Sequence, residues 1–471
     1  MPLIRSISGI RGTIGGGPEE GLSPQEVVSA VSAFASILQE KQLDKDRRVV
    51  IGRDARSSGS MVRNLTVGTL QACGYDVTDL GISTTPTVEM LVPQENALGG
   101  IVLTASHNPM EWNALKFLDE KGEFISSSTG EELIQRAGAG TFSYVTQDRL
   151  GKLREADGSG YHIDRILELG MVKPETVRER GFKVVVDAVN SSGGIYIPRL
   201  LEALGVQDPL LLHCDTSGQF AHDPEPLPEH LRELSDKVRS EEADLGIVVD
   251  PDVDRLAFID ENGEAFGEEY TLVAVADHVL RHKLGATVSN LSSSRALKDV
   301  TEKRGAVHYA SAVGEVNVVE KMKEVNAVIG GEGNGGVILP DLHYGRDALL
   351  GIALFLTHLA EAGSTCSQLR GHYPDYYMAK EKLRSKKGDD VDALLERITS
   401  AYSGYPIDRA DGVKIDFDRE WVHLRRSNTE PIVRIYTESI SPERAQDLAD
   451  RFVKELGEAL EDLRSTEKRS A

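Results

Sequence analysis

With 471 residues the chain is longer than one hydrophobic core usually organises, and about three to four domains are expected. Forty per cent of the residues are apolar, but no window approaches the roughly 20 uncharged apolar residues of a membrane-spanning helix. The 75 acidic residues against 53 basic ones, a formal net charge of -22, exclude nucleic acid as an expected partner unless basic residues are locally concentrated.

The N-terminal stretch MPLIRSISGIRG carries no signal-peptide pattern. The 3 cysteines, Cys73, Cys214 and Cys366, are far apart and never form a CxxC pair. Neither a disulfide framework nor a thiolate zinc site is expected, and a reducing cytoplasm suits the chain best.

In chain order, RRVVIGRD reads as a strand, followed by a helical run from Ser60 to Cys73 and the apolar strand of GGIVLTASHNP. This α/β alternation recurs twice. KVVVDAVNSSGG leads into IYIPRLLEALG and ADLGIVVDPDVDRLAFID; ATVSNLSSS leads into RALKDVTEKRG, AVHYASAVG and AVIGGEGNGGVILP. After about Tyr373 the pattern changes to a helix at Val391–Tyr402, strands in VKIDFD, EWVHLRR and IVRIYTE, and a closing amphipathic helix from Pro442 to about Leu463. The polar tail RSTEKRSA is expected to fray.

Four stretches carry chemistry, each at a strand-to-loop transition. TASHNP sets Ser106 beside His107 and Asn108 at the end of an apolar run, with Lys116 ten residues downstream. In DPDVDR, Asp250, Asp252 and Asp254 stand at spacing two, and carboxylates this close repel one another unless a divalent cation with oxygen ligands compensates. The residues alone leave three other readings open there. An EF-hand loop would use the same spacing, with Glu261 at its twelfth position, but Arg255 stands where that loop needs glycine. A phosphatase with Asp250 as nucleophile and a merely solvated acidic turn are the other two. GGEGNGG, residues 330–336, offers Glu332 and Asn334 from a glycine-rich turn, a pair suited to adjacent sugar hydroxyls or simply to turning the chain. RRSNTEPIVR packs Arg425, Ser427, Asn428, Thr429 and Arg434 into one strand-loop-strand unit, either a cradle for a phosphate dianion or an ordinary polar hairpin.

Taken together, in this order and at these intervals, TASHNP, DPDVDR, GEGNGG and RRSNTEP resemble the α-D-phosphohexomutase superfamily of phosphoglucomutases, phosphomannomutases and phosphoglucosamine mutases. The resemblance extends to SGIRG at 8–12 and GRDARSSG at 52–59 and spans nearly the whole chain. It implies an α/β fold: three related α/β domains with mixed sheets flanked by helices, at 1–158, 159–266 and 267–373, and a C-terminal α+β domain at 374–471, around a central cleft.

The resemblance also implies roles. Ser106 would carry a phosphoryl group, pass it to a hexose monophosphate and take back the other phosphate once the bisphosphorylated intermediate has turned over. Hexose 1,6-bisphosphate would thus be both intermediate and activator. Ser106, Asp250, Asp252 and Asp254 would bind one Mg²⁺, Arg11 and Arg255 would add positive charge, and Lys116 would be the general acid/base, with its pKa lowered by burial or neighbouring cations. His107 and Asn108 would shape the loop. Glu332 and Asn334 would hold sugar hydroxyls, and Arg425, Ser427, Asn428, Thr429 and Arg434 would grip the phosphate that is not reacting. Closure of the last domain would exclude water.

One departure stands out. Many family members place a histidine, proposed to assist proton transfer, where this chain has Gly336, so either His308 or His343 serves or Lys116 works alone. The GGEGNGG form, with VGEVNVVEKM and NALKFLDEKGEFIS, most resembles phosphoglucosamine mutases, so glucosamine 6-phosphate is the expected substrate, with a mannose or glucose phosphomutase the alternative within the class. A phospho-aspartyl phosphatase and a non-catalytic sugar-phosphate binder are the alternatives outside it.

Overall fold

In the computed structural model, residues 3–6, 9–17, 20–41, 43–386, 389–427 and 431–470 are described, with side chains to 465. They fall into two compact units, one of residues 1–283 and 334–370, the other of residues 284–333 and 371–471.

The larger unit is built on two mixed sheets. The first has the order β1-β2-β6-β5-β3-β4-β7, with β1 Ile4–Ser6, β2 Gly9–Thr13, β3 Asp46–Arg53, β4 Asp76–Ile82, β5 Ala97–Leu103, β6 Trp112–Leu118 and β7 Leu153–Glu155. Strands β5, β3, β4 and β7 run parallel, and β6 returns antiparallel to β5, with Val102 opposite Lys116. Parallel strands need cover on both faces, and β5 is buried along its whole length. Helices Pro24–Glu40, Gly59–Ala72 and Ser127–Ala139 cover one face, with Val31, Phe34, Val62, Leu70 and Leu133 in a core shared with Val49 and Ile101. The helix Thr85–Gln94 covers the other through Val88, Leu91 and Val92.

The second sheet has the order β11-β10-β8-β9, from β8 Val184–Asp187, β9 Leu210–Leu212, β10 Leu245–Val249 and β11 Leu256–Asp260. Here β10 is parallel to β8 and antiparallel to β11. Phe258 on β11 stacks on Phe355 of the helix Ala348–Ala362 with ring centroids 3.8 Å apart, and Phe266 meets Phe355 edge-on.

The smaller unit holds a parallel arrangement in which Thr287–Asn290 pairs with His308–Ser311 and Ile329–Glu332. It also holds an antiparallel five-stranded sheet in the order Tyr377–Arg384, Ile432–Ser439, Trp421–Arg426, Val413–Asp416, Ile407–Asp408. Helices Val391–Ala401 and Pro442–Ser470 bury Leu394, Ile398, Phe452 and Leu456 against Val422, Leu424 and Ile435 of this sheet. The closing helix runs past the expected end near Leu463, so the tail through Ser470 is helical rather than frayed. Its charged residues are good helix formers, and Arg464 clamps Asp389 from Nε at 2.8 Å and Nη2 at 2.5 Å. Among the described residues no helix is long and apolar enough to cross a membrane.

Candidate active site

Two loops of the larger unit leave the C-terminal ends of β5 and β10, the end of a sheet strand where open α/β folds place ligands. Each carries a residue in the left-handed region that L side chains avoid: Ser106 at φ 48° in the first and the β-branched Val253 at φ 61° in the second. The loops meet there, with Ser106 Oγ donating to Asp250 Oδ2 at 2.7 Å.

The serine's backbone is held by a residue given no role from sequence: Arg56 of GRDARSSG, 50 positions before Ser106 and 1% exposed. Its Nη2 donates to the carbonyls of Ser106 at 2.5 Å and Asn108 at 2.6 Å, and its Nη1 donates to those of Trp112 at 3.0 Å and Pro109. Its Nε donates to Asp54 Oδ2 at 2.9 Å, an oxygen that also accepts from Thr104 Oγ1 at 2.7 Å. Thr104 Oγ1 in turn accepts the Ser106 amide at 2.9 Å. The backbone of the strained turn is thus tied, through the carbonyls of Ser106 and Asn108 and the Ser106 amide, to one buried arginine-carboxylate pair.

The three aspartates are all fully buried, and one oxygen from each lies within 4.8 Å of the others. The protein engages them unequally. Asp250 Oδ1 accepts the amides of Asp254 at 3.1 Å and Arg255 at 3.2 Å. Asp252 Oδ2 accepts from Thr85 Oγ1 at 2.6 Å and Lys116 Nζ at 2.8 Å, at the N-terminus of the helix Thr85–Gln94, where an anion is favoured. Asp254 Oδ2 accepts from Arg346 Nη2 at 2.7 Å. Asp252 Oδ1 and Asp254 Oδ1 have no hydrogen-bond partner among the described residues. Bare buried carboxylate oxygens are costly, and this all-oxygen donor set suits a hard divalent cation. Burial, then the charges of Asp254 and Asp252, push the Asp250 carboxyl well above the usual carboxylate range, the strain such a cation would relieve.

Lys116 departs from expectation. Burial alone would lower its pKa, but the carboxylates of Asp252, at 2.8 Å, and Asp254, at 3.7 Å, outweigh burial and raise it. The lysine is therefore held in its charged, proton-donating form. Burial and the Arg255 charge push the His107 imidazole down to about 2, so it is neutral, with Nδ1 3.4 Å from Ser106 Oγ. Arg255 donates from Nη1 to Glu225 Oε1 at 2.8 Å, with Nε 3.9 Å from Asp254 Oδ1. Arg11 lies on β2 opposite Ala114 of β6, two residues before Lys116, and burial lowers its pKa. Asn334 Oδ1 accepts the Gly336 amide at 3.2 Å and so shapes its own turn.

The remaining expected residues belong to the smaller unit. Glu332 is buried and accepts at Oε1 from Asn290 Nδ2 at 2.7 Å and the Gly314 amide at 3.1 Å. Arg425 and Arg434 are cross-strand partners; Arg425 pairs with Asp411 at 3.2 Å, and Arg434 donates to the Tyr436 hydroxyl at 3.3 Å. Ser427 is buried, its amide bonded to the Ile432 carbonyl at 3.0 Å. Asn428 and Thr429 lie outside the described residues.

Neither histidine suggested for the Gly336 position is free for that task. His308 bonds Thr287 Oγ1 at 3.0 Å, and burial pushes it down to about 3. His343 stands between Asp347, 3.2 Å from Nε2, and Glu89, 3.4 Å from Nδ1; burial opposes its charge, but these two carboxylates raise it to about 10. An unfolded imidazole titrates near 6.5. The stabilisation from charged His343 should therefore be complete below about pH 6.5 and lost as pH rises through about 10. Thermal melts across that range should show a decline that His343→Gln abolishes; parallel curves for the two proteins would refute the assignment.

Comparison with known proteins identifies the family. The chain matches the descriptions of phosphoglucomutase/phosphomannomutase α/β/α domain I over residues 4–143, domain II over 161–263, domain III over 267–376 and the C-terminal domain over 379–455. It is 36% identical to a phosphoglucomutase/phosphomannomutase of Thermococcus kodakarensis, across 96% of this chain and 98% of that one. It is 34% identical to a probable phosphoglucosamine mutase of Methanopyrus kandleri, across 97% and 98%. A crystal structure of a phosphoglucomutase/phosphomannomutase family protein from Burkholderia thailandensis superposes with a TM-score of 0.84 at 27% identity, covering 97% of each chain. With four consecutive domain matches along its length, the chain belongs to the phosphoglucomutase/phosphomannomutase family, the α-D-phosphohexomutases, and is an isomerase of that class.

Proposed function

We propose that the protein interconverts hexose 6-phosphate and hexose 1-phosphate through a phosphorylated Ser106, with glucosamine 6-phosphate as the preferred substrate and glucosamine 1-phosphate as product, in the cytoplasm. The observation that carries this reading is the 2.7 Å bond from Ser106 Oγ to Asp250 at a left-handed turn, beside two carboxylates with bare oxygens.

In the first half-reaction a sugar hydroxyl attacks the phosphorus of phosphoserine, so the sugar O–P bond forms as the bond to Ser106 Oγ breaks. The departing serine oxygen needs a proton, and Lys116, held charged by Asp252 and Asp254, is in the form to supply one. The sugar's own proton is lost on attack, and the same lysine, once neutral, is the group to receive it. After the bisphosphorylated sugar turns over, Ser106 Oγ attacks the other phosphate, and the steps reverse. Asp250, Asp252 and Asp254 would hold one Mg²⁺, which when bound neutralises phosphoryl charge in the transition state. Glu332 and Asn334 are assigned to the sugar hydroxyls. Arg425, Ser427, Asn428, Thr429 and Arg434 are assigned to the distal phosphate, with Arg11 and Arg255 adding positive charge.

The amino-sugar preference rests on the GGEGNGG form of the sugar loop and on the relative named probable phosphoglucosamine mutase. The 36% relative named phosphoglucomutase/phosphomannomutase favours glucose or mannose phosphate instead. Coupled assays with glucosamine 6-phosphate, glucose 1-phosphate and mannose 1-phosphate, each with Mg²⁺ and a trace of the matching bisphosphate, decide between them. An amino-sugar advantage of about a hundredfold in kcat/KM, worth roughly 2.7 kcal/mol, is the expected result. A glucose or mannose phosphate that wins would retain the mechanism and overturn the substrate.

A further inference from the structure

Gly336 is a glycine for a reason its backbone does not supply. Its φ lies outside the left-handed region. Yet a Cβ built on it would stand 2.3 Å from Cδ and 3.0 Å from Cγ of Arg346. The aliphatic stem of Arg346 crosses that bare Cα, and the buried guanidinium at its end reaches Asp254 Oδ2 at 2.7 Å. The pairing joins two positions ten residues apart in sequence to a third far away, and a side chain at 336 would displace the stem from its present course.

We infer that Arg346 is a positioning residue for the proposed phosphoryl transfer, holding Asp254 in the orientation that leaves its second oxygen open to a divalent cation. The inference rests on reading Asp250, Asp252 and Asp254 as the metal ligands. The guanidinium engages Oδ2, and Oδ1 is the bare atom. Lys116 Nζ stands 3.7 Å from the same Oδ2. Without Arg346, Asp254 is free to rotate and close on Lys116, which removes a ligand oxygen and traps the lysine between two carboxylates. Groups that orient a metal ligand from behind typically change metal affinity or activity by about 10- to 100-fold when removed.

Charge and positioning pull in opposite directions here, and their signs separate them. Deleting a cation beside a dication site strengthens Mg²⁺ binding if charge alone matters; deleting a positioning contact weakens it. Gly336→Ala probes the second effect with the arginine kept, because its Cβ pushes the stem aside; that Cβ would also stand 3.1 Å from Asn334 Oδ1, so Mg²⁺ affinity rather than the KM for sugar is its readout.

The test is calorimetric titration of Mg²⁺ into the full chain as wild type, Arg346→Met, Gly336→Ala and the double variant, with a thermal melt of each to establish folding. Arg346→Met should bind Mg²⁺ about tenfold or more weaker, and lower kcat with a smaller change in the KM for hexose phosphate. Gly336→Ala should weaken Mg²⁺ binding likewise, the double variant should show no loss beyond either single one, and Arg346→Lys should recover part of the affinity. Unchanged or tighter Mg²⁺ binding in Arg346→Met, or a Gly336→Ala protein that behaves as wild type, overturns the role of Arg346 alone. A wild-type protein that binds no Mg²⁺ and converts no hexose phosphate overturns this inference together with the proposed function.

Discussion

Ser106→Ala is expected to lower hexose phosphate turnover by at least about 10⁴-fold, the scale on which loss of a nucleophile acts. The substitution removes one hydroxyl and leaves Asp250 Oδ2 without the donor it has at 2.7 Å. That costs about 1–3 kcal/mol of stability at most, so the variant should fold, with its melt lowered by a few degrees. Intact-mass spectra before and after incubation with hexose 1,6-bisphosphate give the second readout: one phosphoryl group gained by the wild type and none by the variant. The same experiment separates mutase from phosphatase. A Ser106→Ala protein that releases inorganic phosphate at the wild-type rate, with loss of that activity in Asp250→Asn, would transfer the nucleophile's role to Asp250. Conservation of total sugar phosphate in the wild type, with no turnover in Ser106→Ala, excludes it.

The largest stability effect is expected at Arg56. Arg56→Ala leaves Asp54 buried without its cation and strips donors from the carbonyls of Ser106, Asn108, Pro109 and Trp112. Breaking a buried charge pair on one side costs about 3–5 kcal/mol, and the unpaired carbonyls add to it. Burial already pushes the Asp54 carboxyl upward, a shift the Arg56 charge opposes, so the variant's Asp54 is expected to take up a proton in the folded state. Calorimetry should show the lowest-temperature transition moving down by several degrees, with activity lost at temperatures where the rest of the chain is still folded. Arg56→Lys should fare little better, because an ammonium cannot span a carboxylate and several carbonyls as a planar fork does. A variant that melts with the wild type would refute the view that this arginine holds the Ser106 turn in its left-handed conformation.

Much of the architecture was legible in the chain because its signals are local. Apolar runs such as ALGGIVL and LGIVV are buried end to end and become parallel strands. The change of pattern after Tyr373 corresponds to an antiparallel sheet packed by two helices. The three aspartates at spacing two suggested a cation site through their mutual repulsion but left a phosphatase nucleophile or a solvated turn open, and their burial is a property of the fold. The tail past Leu463 was misjudged because its polarity suggested fraying, whereas its charged residues extend a helix that Arg464 ties to Asp389.

What the sequence by itself determined is which chemistry is present: a serine, three carboxylates and a lysine, in motifs whose order marks the family. Only the tertiary structure decided how those groups are tuned. Lys116 was expected to lose its proton more easily than a free lysine, yet two carboxylates 136 and 138 positions further along the chain hold it charged. Arg56 and Arg346 gave no sign in the linear order of their contacts to the site, since the Ser106 carbonyl and Asp254 lie about fifty and ninety residues from them. The reason is physical. Strand and helix periodicity is set by neighbours along the chain, whereas pKa, orientation and strain are set by charges and hydrogen bonds that meet only when the loops after β5 and β10 are brought together.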